Sequence, residues 1–241
     1  MFRSLKELVG YGIHAADGEI GKVHDFYFDD QAWIVRYLVV DTGGWLSSRK
    51  ALVAPAVLDT PSWESKAFPV RLTKEQVEKS PSIDLDKPVS RQMEEELHKY
   101  YGWKPYWRDA RARAAVRVIE RSMEDESSGD LSLRSANEVI GYDIQASDGE
   151  IGHAADLIVD DEVWVIRYIV VDTHDWLPGE KVLVSPSWAG PVTWPERNIY
   201  VGLSREMVKD SPEFDPSAPV NREYELRLYD YYGRPKYWTT V

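Results

Sequence analysis

The chain has 241 residues, no cysteine, 43% apolar residues and a formal net charge of −12. Without thiols there can be no disulfide, thiolate metal centre or cysteine nucleophile, and the apolar fraction is that of an ordinary globular protein. A field of this sign repels phosphate backbones, so no direct nucleic-acid partner is expected. No stretch approaches the roughly 20 apolar residues a bilayer span needs. The opening Met-Phe-Arg-Ser-Leu-Lys-Glu has no signal-peptide apolar region, which predicts a cytoplasmic protein without a transmembrane segment.

The chain is written twice. Residues 8 to 107 align with 139 to 238 at a constant offset of 131, without a gap, and 43 of those 100 positions are identical. A repeat of this length predicts two small domains: 1–107 and 135–241, joined by a linker over 108–134. Within the first copy, Ile13 to Ala16 reads as a strand leading into the turn Asp17-Gly18, and Glu19 to Phe28 as a second strand ending at Asp29-Asp30. Trp33 to Val40, Lys50 to Ala54 and a short Val70 to Leu72 complete five strands with no long helix between them, the pattern of a small antiparallel barrel or sandwich.

The period then changes. Thr73 with Gln76 makes a capping-box signature, predicting a helix over Lys74 to Lys79 that stops at Ser80-Pro81. Ser90 is the expected N-cap of a helix through Tyr101, with glutamates 94 to 96 near its positive end and Gly102 as its stop. Copy two repeats these signals at Ser204, Pro212, Asn221 and Gly233. Between the copies, Ala112, Val116, Ile119 and Met123 follow helical spacing among arginines, and Glu124 to Asp130 is a polar stop, so the linker is predicted to be a partly helical spacer.

GYGIHAADGEIGKVHDFYFDD, WIVRYLVVDT and RKALVAP, echoed as GYDIQASDGEIGHAADLIVDD, VWVIRYIVVDT and EKVLVSP, resemble the PRC-barrel family, named for the β-barrel domain of the photosynthetic reaction-centre H subunit and found also in a ribosome-maturation factor. The tails SRQMEEELHKYYGWKPYW and NREYELRLYDYYGRPKYW are similar to the extension of free-standing bacterial PRC-barrel proteins. The resemblance implies a mainly β fold with short helices: two small antiparallel PRC-type β-barrels, each followed by a helical extension; the duplication of framework residues adds the expectation that the two repeats pack as an intramolecular pseudo-dimer. It also implies a docking or scaffolding role without shared catalytic residues.

The repeat weighs the motifs that invite chemistry. VVDTGG at 39 to 44 has the apolar-Asp-Thr-Gly form of an aspartic-protease loop, but its mate reads VVDTHD, so Asp41 and Asp172 read as turn formers. None of His14, His24, His98, His153 and His174 is kept across the repeat, and no metal site is expected from them. Asp25 is predicted to pair with Arg36, which interrupts an apolar strand, and Asp156 with Arg167. The aromatic tails Tyr100, Tyr101, Trp103, Tyr106 and Trp107, with Tyr231, Tyr232, Tyr237 and Trp238, read as a lid on the barrel, or else as an interaction surface for a protein partner. No catalytic residue, cofactor or metal is predicted. The expected function is non-enzymatic assembly through an unidentified protein partner, with a small-molecule or ion-binding module as the other reading.

Overall fold

The computed structural model describes residues 1–43, 49–81, 89–108, 133–173 and 180–239. The amphipathic segment expected at 112–123 and the polar stop at 124–130 lie outside the described residues. The chain divides into two compact, mainly β units. The first is Glu7–Asn137, and the second is Glu138–Val241 together with Met1–Lys6. Each unit holds one repeat, but the ends depart from the colinear division at 107 and 135. The segment that opens each repeat belongs to the unit of the other repeat.

In the first unit, β2 (Gly12–Ala15) and β3 (Gly18–Asp29) form an antiparallel hairpin across the predicted turn. β4 (Ile34–Asp41) pairs with β3, and β5 (Lys50–Val53) with β4, both antiparallel. The last strand, β6, is Ala67–Pro69 rather than 70–72, and it lies parallel to β2. Val70 and Leu72 are buried as their apolar character demands, but it is the preceding three residues that carry the strand pairing. Four of the five predicted strands thus hold, and the fifth is displaced by three residues and reversed in sense.

The second glycine of DGEIG has a steric reason. A Cβ on Gly21 would sit 2.0 Å from the carbonyl oxygen of Asp41, and one on Gly152 equally close to that of Asp172. Only glycine lets the end of β4 approach β3 this tightly.

The length of β3 creates a gap. β2 pairs with β3 only from Gly18 to Lys22, which leaves the far half of a 12-residue strand with an open edge. A three-residue strand, β7 (Leu133–Ser135), fills it by pairing antiparallel with Tyr27 to Asp29. The second unit solves the same problem in the same way. There β8 (Asp143–Ala146) pairs with the start of β9 (Gly149–Asp160), and β1 (Phe2–Ser4) pairs with Ile158 to Asp160. β10 (Val165–Asp172), β11 (Lys181–Val184), β12 (Ala189–Thr193) and β13 (Asn198–Val201) complete this unit, with β13 parallel to β8. One-turn helices carry the chain across both unit boundaries: α1 (Leu5–Leu8) and α4 (Ala136–Val139).

The helices form where the caps predict. α2 is Lys74–Glu78, with the capping box of Thr73 and Gln76 complete. The Asp17 carboxylate adds an acceptor for the Lys74 N–H at 3.0 Å, as Asp148 does for Arg205 at 2.8 Å ahead of α5 (Arg205–Lys209). α3 is Arg91–Tyr101, capped by Ser90 and ended by Gly102 in the left-handed conformation; its mate α6 is Arg222–Tyr231, capped by Asn221. β4 is buried on both faces because α3 and its tail lie against it. Tyr37, Val39, Leu52, Ala54, Val89, Leu97 and Leu133 form one apolar cluster there, with Met93, Tyr101 and Trp103 at its margin.

Candidate functional site

Two constellations occur in both copies. The first receives the exchanged strand. In the first unit Ser135 Oγ donates to Asp25 Oδ2 at 2.5 Å, the Asn137 N–H donates to Asp25 Oδ1 at 3.1 Å, and Arg134 Nε donates to Asp30 Oδ2 at 3.0 Å. Leu133 enters the apolar cluster beside Tyr37. In the second unit Ser4 donates to Asp156, the Lys6 N–H donates to Asp156 at 3.2 Å, and Arg3 Nε donates to Asp161 at 3.1 Å, while Phe2 meets the Tyr168 ring edge-on. Each contact is the 131-residue image of its mate.

Asp25 and Asp156 are therefore not the partners of Arg36 and Arg167. The register explains why. Tyr27 opposes Tyr37 but Phe28 opposes Val35, so Arg36 is the extra residue of a β-bulge; Arg167 has the same place between Ile166 and Tyr168. A bulge breaks strand parity and re-aims the side chain. Arg36 reaches Asp29 Oδ2 at 3.0 Å, and Arg167 reaches Asp160 Oδ2 more loosely at 4.0 Å. Asp25 faces the incoming strand, whose donors lie more than a hundred residues away in sequence. Arg36→Met removes the Asp29 pair and a stack on Tyr106, and is expected to cost about 1–3 kcal/mol in urea unfolding. An unchanged midpoint would contradict this assignment.

The second constellation clamps the tail. Glu94, on α3, is fully buried. Its carboxylate accepts from Tyr106 Oη at 2.7 Å and Tyr37 Oη at 3.1 Å, and pairs with Arg91 Nη1 at 2.6 Å. The Arg36 guanidinium lies 3.8 Å from the centre of the Tyr106 ring, and that of Arg91 lies 4.4 Å from Trp107. Copy two reproduces the arrangement. Fully buried Glu225 accepts from Tyr168 at 2.6 Å and Tyr237 at 2.9 Å and pairs with Arg222 at 2.9 Å, while Arg167 and Arg222 cover Tyr237 and Trp238 at 4.1 and 4.2 Å. His98 adds a 2.8 Å contact to Tyr37 in copy one; burial lowers its pKa and favours the neutral ring. Its mate is Tyr229, packed on Trp188 and Trp238.

The tail aromatics are thus largely spent on the fold. Tyr101 stacks on Trp103, Tyr106 and Trp107 lie half-buried under arginines, Tyr232 is buried, and Tyr237 and Trp238 repeat the roles of Tyr106 and Trp107. Tyr100 and Tyr231 differ: both rings are exposed, and their hydroxyls donate to the carbonyls of Gln76 and Met207.

Sequence reasoning leaves Arg3, Ser4, Arg134, Ser135 and Glu225 without a role and places Glu94 only near the positive end of a helix. The signal was present. FRSLKE at 2–7 overlies LRSANE at 133–138 at the same offset, keeping Arg, Ser and Glu, and Glu94 with Arg91 recurs unchanged as Glu225 with Arg222.

Burial raises the pKa of Asp25, Asp30, Asp156 and Glu94, in each case against hydrogen bonds or positive neighbours that lower it. Each group binds its proton at higher pH in the folded chain than in the unfolded one. Their contribution to stability therefore grows as pH falls from neutral toward the ordinary carboxylate range and is lost as pH rises through the raised values. Asp41, held low by Lys50, opposes this weakly because it is exposed. The thermal midpoint is expected to be higher near pH 5 than near pH 8; a steady fall on acidification would contradict it.

Asp41 otherwise behaves as a turn former, accepting the Gly43 N–H at 2.9 Å. Among the described residues no group of three His, Asp or Glu side chains is placed to hold a metal ion, and no helix is long and apolar enough to cross a membrane. A cleft of about 630 Å³ in the first unit is lined by Glu19, Lys22, His24, Asp41, Thr42 and Lys74, among others.

The long bulged strand, its hairpin partner and the glycine-tight crossing occupy the stretch matched by the PRC-barrel domain model, residues 2–76. This stretch is a PRC-barrel domain. No curated protein sequence matches the chain. The match to the PRC-barrel domain takes in Phe2–Ser4 together with β2 to β6, although in this fold those three residues pair with β9 of the other unit.

Proposed function

We propose that the protein is a non-enzymatic adaptor whose two PRC barrels present surfaces to a protein partner. One observation carries this reading: both constellations kept across the repeat are occupied by the chain itself, with Asp25 and Asp156 holding strands and Glu94 and Glu225 holding tails. Selection for a framework kept twice, with side chains turned inward, suits a scaffold. The exposed tyrosines Tyr100 and Tyr231 are the conserved part of the tail left for a partner, and tyrosine is prominent among binding hot spots. The test is quantitative affinity capture from a native lysate by the wild type and by a Tyr100→Glu/Tyr231→Glu variant of unchanged melting temperature. A specific protein should be lost by about tenfold or more with the variant. Capture of no variant-sensitive protein contradicts the reading.

The cleft lined by β3, the end of β4 and the start of α2 favours a second reading, a site for a small charged molecule between Lys22, His24, Lys74 and the carboxylates of Glu19 and Asp41. A ligand at about 100 times its Kd stabilises the folded chain by about 2.7 kcal/mol. A panel of metals, nucleotides and organic acids that leaves the melting temperature unchanged removes this reading.

A further inference from the structure

The edge of β3 and the edge of β9 are two copies of one receptor. Each offers a three-residue antiparallel pairing, a carboxylate that takes a serine hydroxyl and the backbone N–H two residues beyond it (Asp25, Asp156), and a second carboxylate that takes the arginine before that serine (Asp30, Asp161). The residues they hold, Leu-Arg-Ser and Phe-Arg-Ser, differ only at the leading apolar position. Pairing through main-chain hydrogen bonds with specificity from alternate side chains is the chemistry of β-strand addition.

We propose that these two edges are equivalent binding sites for an extended segment reading apolar-Arg-Ser, and that each accepts this segment from a second copy of the chain, giving strand-exchanged dimers. The occupant follows from the fold itself. Each site already holds the strand that opens the other repeat, and the two sets of contacts are the same, so neither receptor's contacts distinguish one repeat's segment from the other's. Nothing in the contacts of Asp25 or Asp156 depends on which chain the serine comes from. Within one chain the segment is supplied at an effective concentration of order mM for a short tether, which keeps the closed form dominant in dilute solution. Exchange between chains grows as the protein approaches that concentration. This inference is independent of the adaptor reading, since it requires no foreign partner.

The test uses the full wild-type chain. Unlabelled and ¹⁵N-labelled protein are mixed at concentrations up to about 1 mM, near the effective concentration above, and native mass spectrometry follows mixed-isotope dimers. Increasing excesses of a synthetic peptide of residues 2–8, FRSLKEL, are then added. Mixed dimers should appear with concentration and be suppressed by this peptide, but not by the same peptide with Arg3→Glu. Absence of mixed dimers across the range, with no peptide binding detected, overturns the proposal. Mixed dimers that the peptide leaves intact also overturn it, because the contact then uses another surface.

Discussion

Glu94→Ala is expected to lower stability by about 3–5 kcal/mol and to detach the tail from the first unit. The carboxylate is fully buried and is the shared acceptor of Tyr37, Tyr106 and Arg91, so its loss deprives the Tyr106 hydroxyl and the largely buried Arg91 guanidinium of their carboxylate and leaves the Tyr37 hydroxyl to His98 alone. Removing one member of a buried pair costs far more than the pair gains over an apolar replacement, because the remaining charge has no compensation. Glu94→Gln keeps an acceptor for both tyrosines and should cost roughly half as much. Urea unfolding gives the energies, and fluorescence of Trp103 and Trp107, which flank the cluster, reports the tail. Glu225→Ala should behave in the same way in the second unit. An alanine variant within about 1 kcal/mol of wild type would show that the cluster does not hold the tail.

The second large effect is expected at Asp156. Its carboxylate accepts from Ser4 Oγ, from the Lys6 N–H and from the Leu157 N–H at 2.7 Å. Asp156→Ala leaves these donors without their acceptor and should cost about 2–4 kcal/mol. Its signature is local. Amide exchange of Phe2 to Ser4 should accelerate while that of Leu133 to Ser135 stays slow, and Asp25→Ala should produce the opposite pattern. Equal acceleration of both segments by either variant would contradict separate receptors.

Much of the fold could be read from residues because its signals are local. The capping box at Thr73 and Gln76, the Ser90 cap and the Gly102 stop each act within a few residues, and the helices fall where they direct. Strands β2 to β5 announce themselves by β-branched and aromatic runs. β1 and β7 do not, because three residues are too short to show a period; only the unbroken offset of the repeat marks them. The Asp25–Arg36 pairing failed for a different reason. Counting strand positions assumes constant parity, and the bulge at Arg36 turns that side chain toward Asp29. In sequence Glu94 is a charge near a helix N-terminus, and an Arg–Glu pair three residues apart looks the same on a solvated helix as on a buried one. Burial of Glu94 is decided by Tyr37 and Tyr106, which no local window contains.

Each repeat carries the edge strand of the other unit. Nuclear Overhauser contacts between backbone protons of the full chain test it most directly. The fold predicts cross-strand contacts from Arg3 to Val159 and from Arg134 to Phe28. Contacts from Arg3 to Phe28 and from Arg134 to Val159 would mean that each strand stays with its own repeat, and would contradict the account.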